Sequence, residues 1–376
     1  MAIEIDHAKG AFVYDKNGKK YLDFIAGVSA NTLGHSNPKI TKAIKEQTEK
    51  YLHVMVYGEF IQEKPVALAK LLATNLPKEL NQVYLVNSGT EATEGALKLA
   101  KRVTGKSEII AAKLAYHGNT QGSMSVCGAE EQNRAFRPLI PNTRFIEFNN
   151  FEDLKKITKN TAAVILETIQ GGAGFIVPKE NYLKKVKERC QKVGAILILD
   201  EIQSGIGRTG KLFEFQNQNM TPDIVITGKG LGGGLPIGAF IASNTLMEKL
   251  KEQPKLGHIT TFGGNPLIAA SALATLQEVL NTNLMENVLK KEKLFRNLLV
   301  HPKIKEIRGK GLMLALIVET PELASKIILK SLEKGVLLFW LLFEGRAVRI
   351  TPPLTISNRE IENGCKIILE VLDEIR

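Results

Sequence analysis

The chain has 376 residues, 44% hydrophobic and 24% charged, ordinary values for a globular protein with one large core and room for a smaller second unit. Its net charge of +11 is spread over lysines mixed with apolar and acidic residues, with no run of five basic residues and no interleaved aromatics, so a nucleic-acid groove is not expected. Cys127, Cys190 and Cys365 form neither a disulfide framework nor a CxxC pair, no apolar run approaches the ~18 residues of a membrane span, and no basic apolar leader opens the chain, so a cytoplasmic protein without membrane partners is expected.

In chain order, Phe12–Phe24 reads as a β-hairpin around Asn17-Gly18. Short apolar runs then occur at Val83–Val86, Glu108–Ala112, Arg144–Phe148, Ala162–Leu166, Ala195–Leu199, Asp223–Thr227 and Gly238–Ala242. Helical patterns such as Glu91–Arg102 and Asn181–Val193 separate most of them. This alternation predicts an α/β protein with a mostly parallel seven-stranded sheet covered on both faces. After Pro266 a long helical stretch leads to a second mixed region. The expected organisation is an N-terminal segment 1–50 that joins a small α+β domain, a large domain 51–270, and a C-terminal part of the small domain, 271–376.

Two of the apolar runs end in charge. Ala195-Ile-Leu-Ile-Leu stops at Asp200, and Ile224-Val-Ile-Thr is followed almost at once by Lys229 in a glycine-rich stretch. Singly, such an Asp is commonly a helix cap and such a Lys a solvated loop residue. At neighbouring strand ends they suit pyridoxal phosphate, which needs a lysine for its Schiff base and an acid against its pyridinium nitrogen. Val83–Val86 leads through Asn87-Ser88-Gly89-Thr90 into a helix start, whose free N–H groups can hold a phosphate, although a plain capping turn would look similar. Gly205-Ile-Gly207-Arg-Thr-Gly210 matches GxGxxG, but no helix follows directly and no acid stands at the dinucleotide spacing, so it reads as a mobile active-site loop. No histidine or cysteine spacing suggests a metal.

Over essentially its whole length the chain resembles the class III (ω-amino acid) aminotransferases of pyridoxal-phosphate fold type I. The resemblance is carried by Leu33-Gly-His35, Asn87-Ser-Gly-Thr-Glu-Ala, Tyr116-His117-Gly118, Leu166-Glu167-Thr-Ile-Gln170-Gly171, Leu199-Asp-Glu-Ile-Gln203, Lys229-Gly-Leu-Gly-Gly-Gly and Thr261-Phe-Gly-Gly-Asn-Pro266, in the family's order. Within the class, Glu306-Ile-Arg-Gly-Lys-Gly-Leu-Met and Val348-Arg349-Ile-Thr-Pro-Pro353 look most like acetylornithine and ornithine aminotransferases.

The resemblance implies that Lys229 binds the cofactor and moves the proton, while Asp200 keeps the pyridine nitrogen protonated. It also implies that Gln203 meets the phenolate oxygen, Tyr116 stacks on the ring, and His117 and Glu167 belong to the cofactor's surroundings. Ser88, Gly89 and Thr90 would hold the phosphate, completed by Thr261 of a second copy in a homodimer. Arg349 would bind a substrate carboxylate through its guanidinium fork.

At the substrate end the chain departs from the pattern. The acetylornithine and ornithine enzymes carry Arg where this chain has Asn119, and ornithine enzymes carry Tyr in place of Val28. The family's Gln-Gly-Glu, whose glutamate covers the substrate arginine, reads Gln170-Gly171-Gly172 here. Arg349 is therefore expected to prefer an anionic group in both half-reactions, and a glutamate restored at 172 is expected to change donor preference. The implied activity is ping-pong transfer from an acetylornithine-like amine to a 2-oxo acid, 2-oxoglutarate in the first instance. 4-Aminobutyrate, other ω-amino acids or diamines remain alternative donors, and a lyase or aminomutase on the same scaffold an alternative reaction.

Overall fold

A computed structural model describes residues 2–375. Strands β1 (Ile5–Lys9), β2 (Phe12–Asp15) and β3 (Lys20–Asp23) form an antiparallel meander. The β2–β3 turn follows from its residues: Gly18 adopts φ +79°, and the Asp15 carboxylate accepts from the N–H of Asn17 and of Lys19, both at 2.9 Å. β1 has no counterpart in the sequence reading, because Ile-Asp-His-Ala-Lys lies mostly exposed and shows no alternation.

The central sheet contains β4 (Gln82–Val86), β5 (Glu108–Ala112), β6 (Thr143–Ile146), β7 (Thr161–Glu167), β8 (Ile196–Asp200), β9 (Ile224–Gly228) and β10 (Gly238–Ala242). Their spatial order is β4-β10-β9-β8-β7-β5-β6, and β10 runs antiparallel to both its neighbours while the other pairs are parallel. The central strands are buried along their length, as a sheet covered on both faces requires. Helix Gly89–Thr104 starts at the Ser88 cap, ends at Gly105 with φ +67°, and buries Ala92, Ala96, Leu99 and Ala100 on one face.

Helix Pro266–Asn281 extends the central core through Ala269, Ala272, Leu276 and Val279. Beyond it come helix Leu284–Leu298, β11 (Glu306–Lys310), β12 (Met313–Ile317), helix Pro321–Glu333, β13 (Val336–Leu337), β14 (Phe339–Trp340), β15 (Ala347–Ile350) and helix Asn358–Glu374. A second sheet has the order β11-β12-β15-β14. β13 instead pairs with β3, Val336 opposite Leu22, so chain segments from both ends share one sheet. Their common core contains Leu22, Phe24, Phe295, Leu316, Ile327 and Ile368. Among the described residues, no helix is long and apolar enough to cross a membrane.

Ser204 to Thr209 are all buried, so the GxGxxG stretch is packed inside the protein instead of forming the mobile loop expected. Its glycines serve close approach: a Cβ at Gly207, where φ is +84°, would lie 3.1 Å from Leu354.

Gly95 decides the spacing between helix Gly89–Thr104 and β10, because a Cβ there would lie 2.4 Å from the Phe240 ring. Gly95→Ala is expected to destabilise the protein by about 1–3 kcal/mol, since overpacking outweighs the ~1 kcal/mol gained in helix propensity. Thermal denaturation checks this, and an unchanged or higher melting temperature contradicts it.

Candidate active site

The site grows from three parallel strands that stop side by side. Glu167 at the end of β7 is in register with Asp200 at the end of β8, and Asp200 with Ile226 of β9, three residues before Lys229. Their ends open into a cavity of about 540 Å³ that contains Lys229, Asp200, Glu167 and, from the far side, Arg349. This is the carboxyl edge of the parallel strands, where such sheets place ligands.

Asp200 is 6% exposed, and its Oδ2 lies 2.8 Å from Nδ1 of the buried His117. Its Oδ1 accepts from the Ile202 N–H at 2.9 Å. The other ring nitrogen of His117, Nε2, is buried without a partner. Lys229 sits at a left-handed φ of +35°, and burial lowers its pKa while the nearby carboxylates of Asp200 and Glu167 oppose that shift. Burial pushes Glu167 up to about 7; the nearby His117 opposes this, Asp200 adds to it, and the N–H groups of Gly171 at 2.9 Å and Tyr116 at 3.3 Å favour the anion.

Gly89 and Thr90 line the cavity at the start of helix Gly89–Thr104, where N–H groups of the first turn precede any helical acceptor. Both hydroxyls of this turn already have partners. Ser88 Oγ accepts from Glu91 N at 3.2 Å and does not line the cavity. Thr90 Oγ1 accepts from Asn119 N at 2.9 Å and shares a hydrogen bond with Ser123 Oγ at 2.7 Å. Gly118, with φ +135°, makes that approach possible, since a Cβ there would lie 1.9 Å from Thr90 Oγ1.

Tyr116, 39% exposed, and Asn119 stand at the opening. Gln203 donates through Nε2 to Ser29 Oγ at 3.3 Å. Ser29 ends a left-handed turn, Ala26–Ser29, with φ values of 49°, 58°, 60° and 68°, which brings Val28 to the cavity wall. For residues other than glycine such dihedrals cost roughly 1–2 kcal/mol each. Nothing in the sequence marks that turn except one glycine. Thr261 is exposed, away from the cavity, next to Phe262 and near Ile259.

Arg349 lies on β15, opposite Ala315 of β12 and Phe339 of β14. It is 6% exposed; its Nε donates weakly to Trp340 O at 3.4 Å, Nη1 is buried without an acceptor, and burial lowers its pKa to about 10. Phe339, Trp340, Leu341 and Leu342 form the adjoining wall, which from sequence is indistinguishable from core. Phe343 N donates to Gly172 O at 2.9 Å, and a Cβ on Gly172 would lie 2.7 Å from the Phe343 ring. A glutamate at 172 therefore cannot enter while Phe343 stays in place, which corrects the simple restoration expected above.

These residues fit pyridoxal phosphate: a buried amine, a buried carboxylate at a strand end, and the open N–H groups of a helix start share one cavity. Together with the seven-stranded sheet, they define a pyridoxal-phosphate-dependent transferase of fold type I. The sequence profile of the family "Aminotransferase class-III" matches residues 1–372, and the chain belongs to that family. It is 39% identical to acetylornithine aminotransferase of Caldanaerobacter subterraneus subsp. tengcongensis, over 98% of this chain and 94% of that one. Ornithine aminotransferase from Toxoplasma gondii superposes with a TM-score of 0.92 at 32% identity, covering 100% of this chain and 92% of the other. Adenosylmethionine-8-amino-7-oxononanoate aminotransferase from Methanocaldococcus jannaschii gives 0.90 at 31%, covering 100% and 93%.

Gly172→Glu alone is expected to lower stability by about 1–3 kcal/mol through the clash with Phe343, whereas Gly172→Glu combined with Phe343→Ala should accept the carboxylate beside Arg349. Comparing the melting temperatures of the two variants checks this; equal values contradict it. The raised pKa of Glu167 predicts an inflection near pH 7 in the rate profile that Glu167→Gln removes. Because the fold raises this pKa from 4.5, stability retained with the neutral acid is lost as pH climbs through that window to about 7. An inflection that survives in Glu167→Gln assigns it elsewhere.

Proposed function

We propose that the protein transfers the amino group of an acetylornithine-like ω-amino donor to a 2-oxo acid, 2-oxoglutarate in the first instance, in two half-reactions at one site. The observation that carries this reading is Arg349, a buried guanidinium that lines the cavity together with Lys229 and whose Nη1 has no partner. A substrate carboxylate supplies the missing acceptor through a charge-assisted hydrogen bond. With Gly172 where a carboxylate would otherwise compensate the charge, Arg349 favours an anionic substrate in each half-reaction.

Bound pyridoxal phosphate supplies the aldehyde that takes up and releases the amino group, and a ring that accepts the electrons freed at the substrate carbon. Lys229 would hold the cofactor through its amine and would move the proton at the substrate carbon; its lowered pKa keeps more of the amine in the base form. Asp200, held by His117, would present a fixed carboxylate to the cofactor's ring nitrogen. Gln203, steadied by Ser29, would donate to the cofactor's phenolate oxygen, and Tyr116 would stack on its ring. The N–H groups of Gly89 and Thr90, with Ser88 shaping the turn, would take the phosphate. Val28 and Asn119 bound the space left for the donor.

A homodimer is part of this reading. Leu52, Phe60, Ile61, Leu256, Ile259 and Phe262 are exposed, Ile61 to 91%, and Phe60, Leu256 and Ile259 line one surface depression. An apolar surface of this kind on a folded enzyme marks an interface. Thr261 is exposed in the same stretch, and in this reading it would complete the phosphate site of a second copy.

The test is the visible absorbance of the purified holoenzyme on adding N-acetylornithine with no oxo acid present. Conversion of the cofactor to its amine form, reversed by 2-oxoglutarate, is the expected outcome, and Lys229→Ala should slow it by roughly 10²–10⁴-fold. An unchanged spectrum removes this donor and leaves the alternatives with one carboxylate or none, for which Asn119 and Gly172 leave room. Release of ammonia with no amine passed to the oxo acid would show a lyase instead.

A further inference from the structure

The buried stretch Ser204–Thr209 contains an arginine that the transfer reaction does not use. Arg208 is 2% exposed and among the largest fully buried side chains, yet it forms no ion pair among the described residues. Burial of an uncompensated guanidinium is expensive, and its pKa falls to about 9. Its Nη1 donates to two backbone carbonyls, Leu312 O at 3.2 Å and Pro352 O. Its own carbonyl accepts from Leu312 N at 3.0 Å. Gly311, at φ +62°, permits this contact, because a Cβ there would lie 2.4 Å from Arg208 O.

Both acceptors lie next to the strands that carry the substrate arginine. Leu312 leads into β12, whose Ala315 is the register partner of Arg349, and Pro352 follows β15 directly after Thr351. Beyond Ile350 the chain has left the sheet ladder, and Pro352 and Pro353 have no N–H to donate. The exit from β15 is held instead by Thr351, which donates to Phe24 O at 2.7 Å and Ile25 O at 2.9 Å, and by Arg208. A single nitrogen, Nη1, thus bridges carbonyls at the adjoining ends of two strands, while Nη2 is buried without a partner; glutamine is shorter and would lose one of the two bonds.

We infer that Arg208 is a positioning residue for Arg349: it fixes the adjoining ends of β12 and β15 against the segment that bears Asp200 and Gln203, and so sets how far the substrate carboxylate sits from the cofactor. This rests on the reading of Arg349 as the carboxylate site. The GxGxxG stretch then has a role in this chain that involves no nucleotide. Its glycines let the loop pack tightly enough for one side chain to join the cofactor acid to the substrate arginine.

The experiment compares Arg208→Lys, Arg208→Gln and Arg349→Gln holoenzymes, measuring the dissociation constant of 2-oxoglutarate by calorimetry, KM and kcat for the same oxo acid, the cofactor absorbance and the melting temperature. Expected for Arg208→Gln is a roughly tenfold weaker dissociation constant and a matching rise in KM, with kcat within about twofold and the cofactor absorbance unchanged. Arg208→Lys should recover part of that loss. If Arg349→Gln leaves the dissociation constant unchanged, or the parent enzyme does not bind the oxo acid, the reading of Arg349 fails. If Arg349→Gln weakens binding while the Arg208 variants do not, or these variants lose only melting temperature, the positioning role is overturned. Should they not fold, Gly311→Ala presses on the same contact from the other side and must give the same split between KM and kcat.

Discussion

The contact between Asp200 and His117 is the constraint on which the rest of the site depends. A carboxylate and an amine buried at neighbouring strand ends would tend to neutralise each other by direct pairing or proton transfer. Here His117 takes the Asp200 carboxylate at 2.8 Å, and the Ile202 N–H takes the other oxygen. Lys229 is left without a hydrogen-bonded acid, and burial lowers its pKa. The two functional charges share a cavity without cancelling, which the parallel register of β7, β8 and β9 makes possible by fixing their separation.

The remaining parts of the cavity come from distant parts of the chain. The left-handed turn Ala26–Ser29 supplies Val28 and steadies Gln203. The same N-terminal stretch is clasped by Thr351 on one side, and on the other Thr32 Oγ1 donates to Gly230 O at 2.9 Å. The loop after Lys229 and the strand exit after Arg349 therefore hold a common segment. The backbone strain of that turn is tolerated because these hydrogen bonds over-determine it, as is usual at functional sites.

At the substrate end, sequence and packing have changed together. Gly172 makes room for the Phe343 ring, and Asn119, a neutral side chain, lines the same cavity. Phe339, Trp340, Leu341 and Leu342 form the wall beside Arg349.

Much of this was legible in the residues themselves. Apolar runs of strand length ending in Asp200 and Lys229 announced the parallel sheet and its cofactor edge, since period and local charge are properties of the chain alone. The hairpin at Asn17-Gly18 was legible for the same reason, its turn chemistry being local. The edge strands were less so: β1 has no apolar face to reveal it, and β6 ends two residues before the predicted run. Tertiary structure alone decided that Ser88 caps a helix instead of facing the cavity, that GxGxxG is buried, and that Phe343 occupies the space beside Gly172. It also decided that Arg208 reaches Pro352. Each of these depends on which distant surfaces meet, and burial and hydrogen-bond partners between segments far apart in the chain leave no periodic trace in the order of residues.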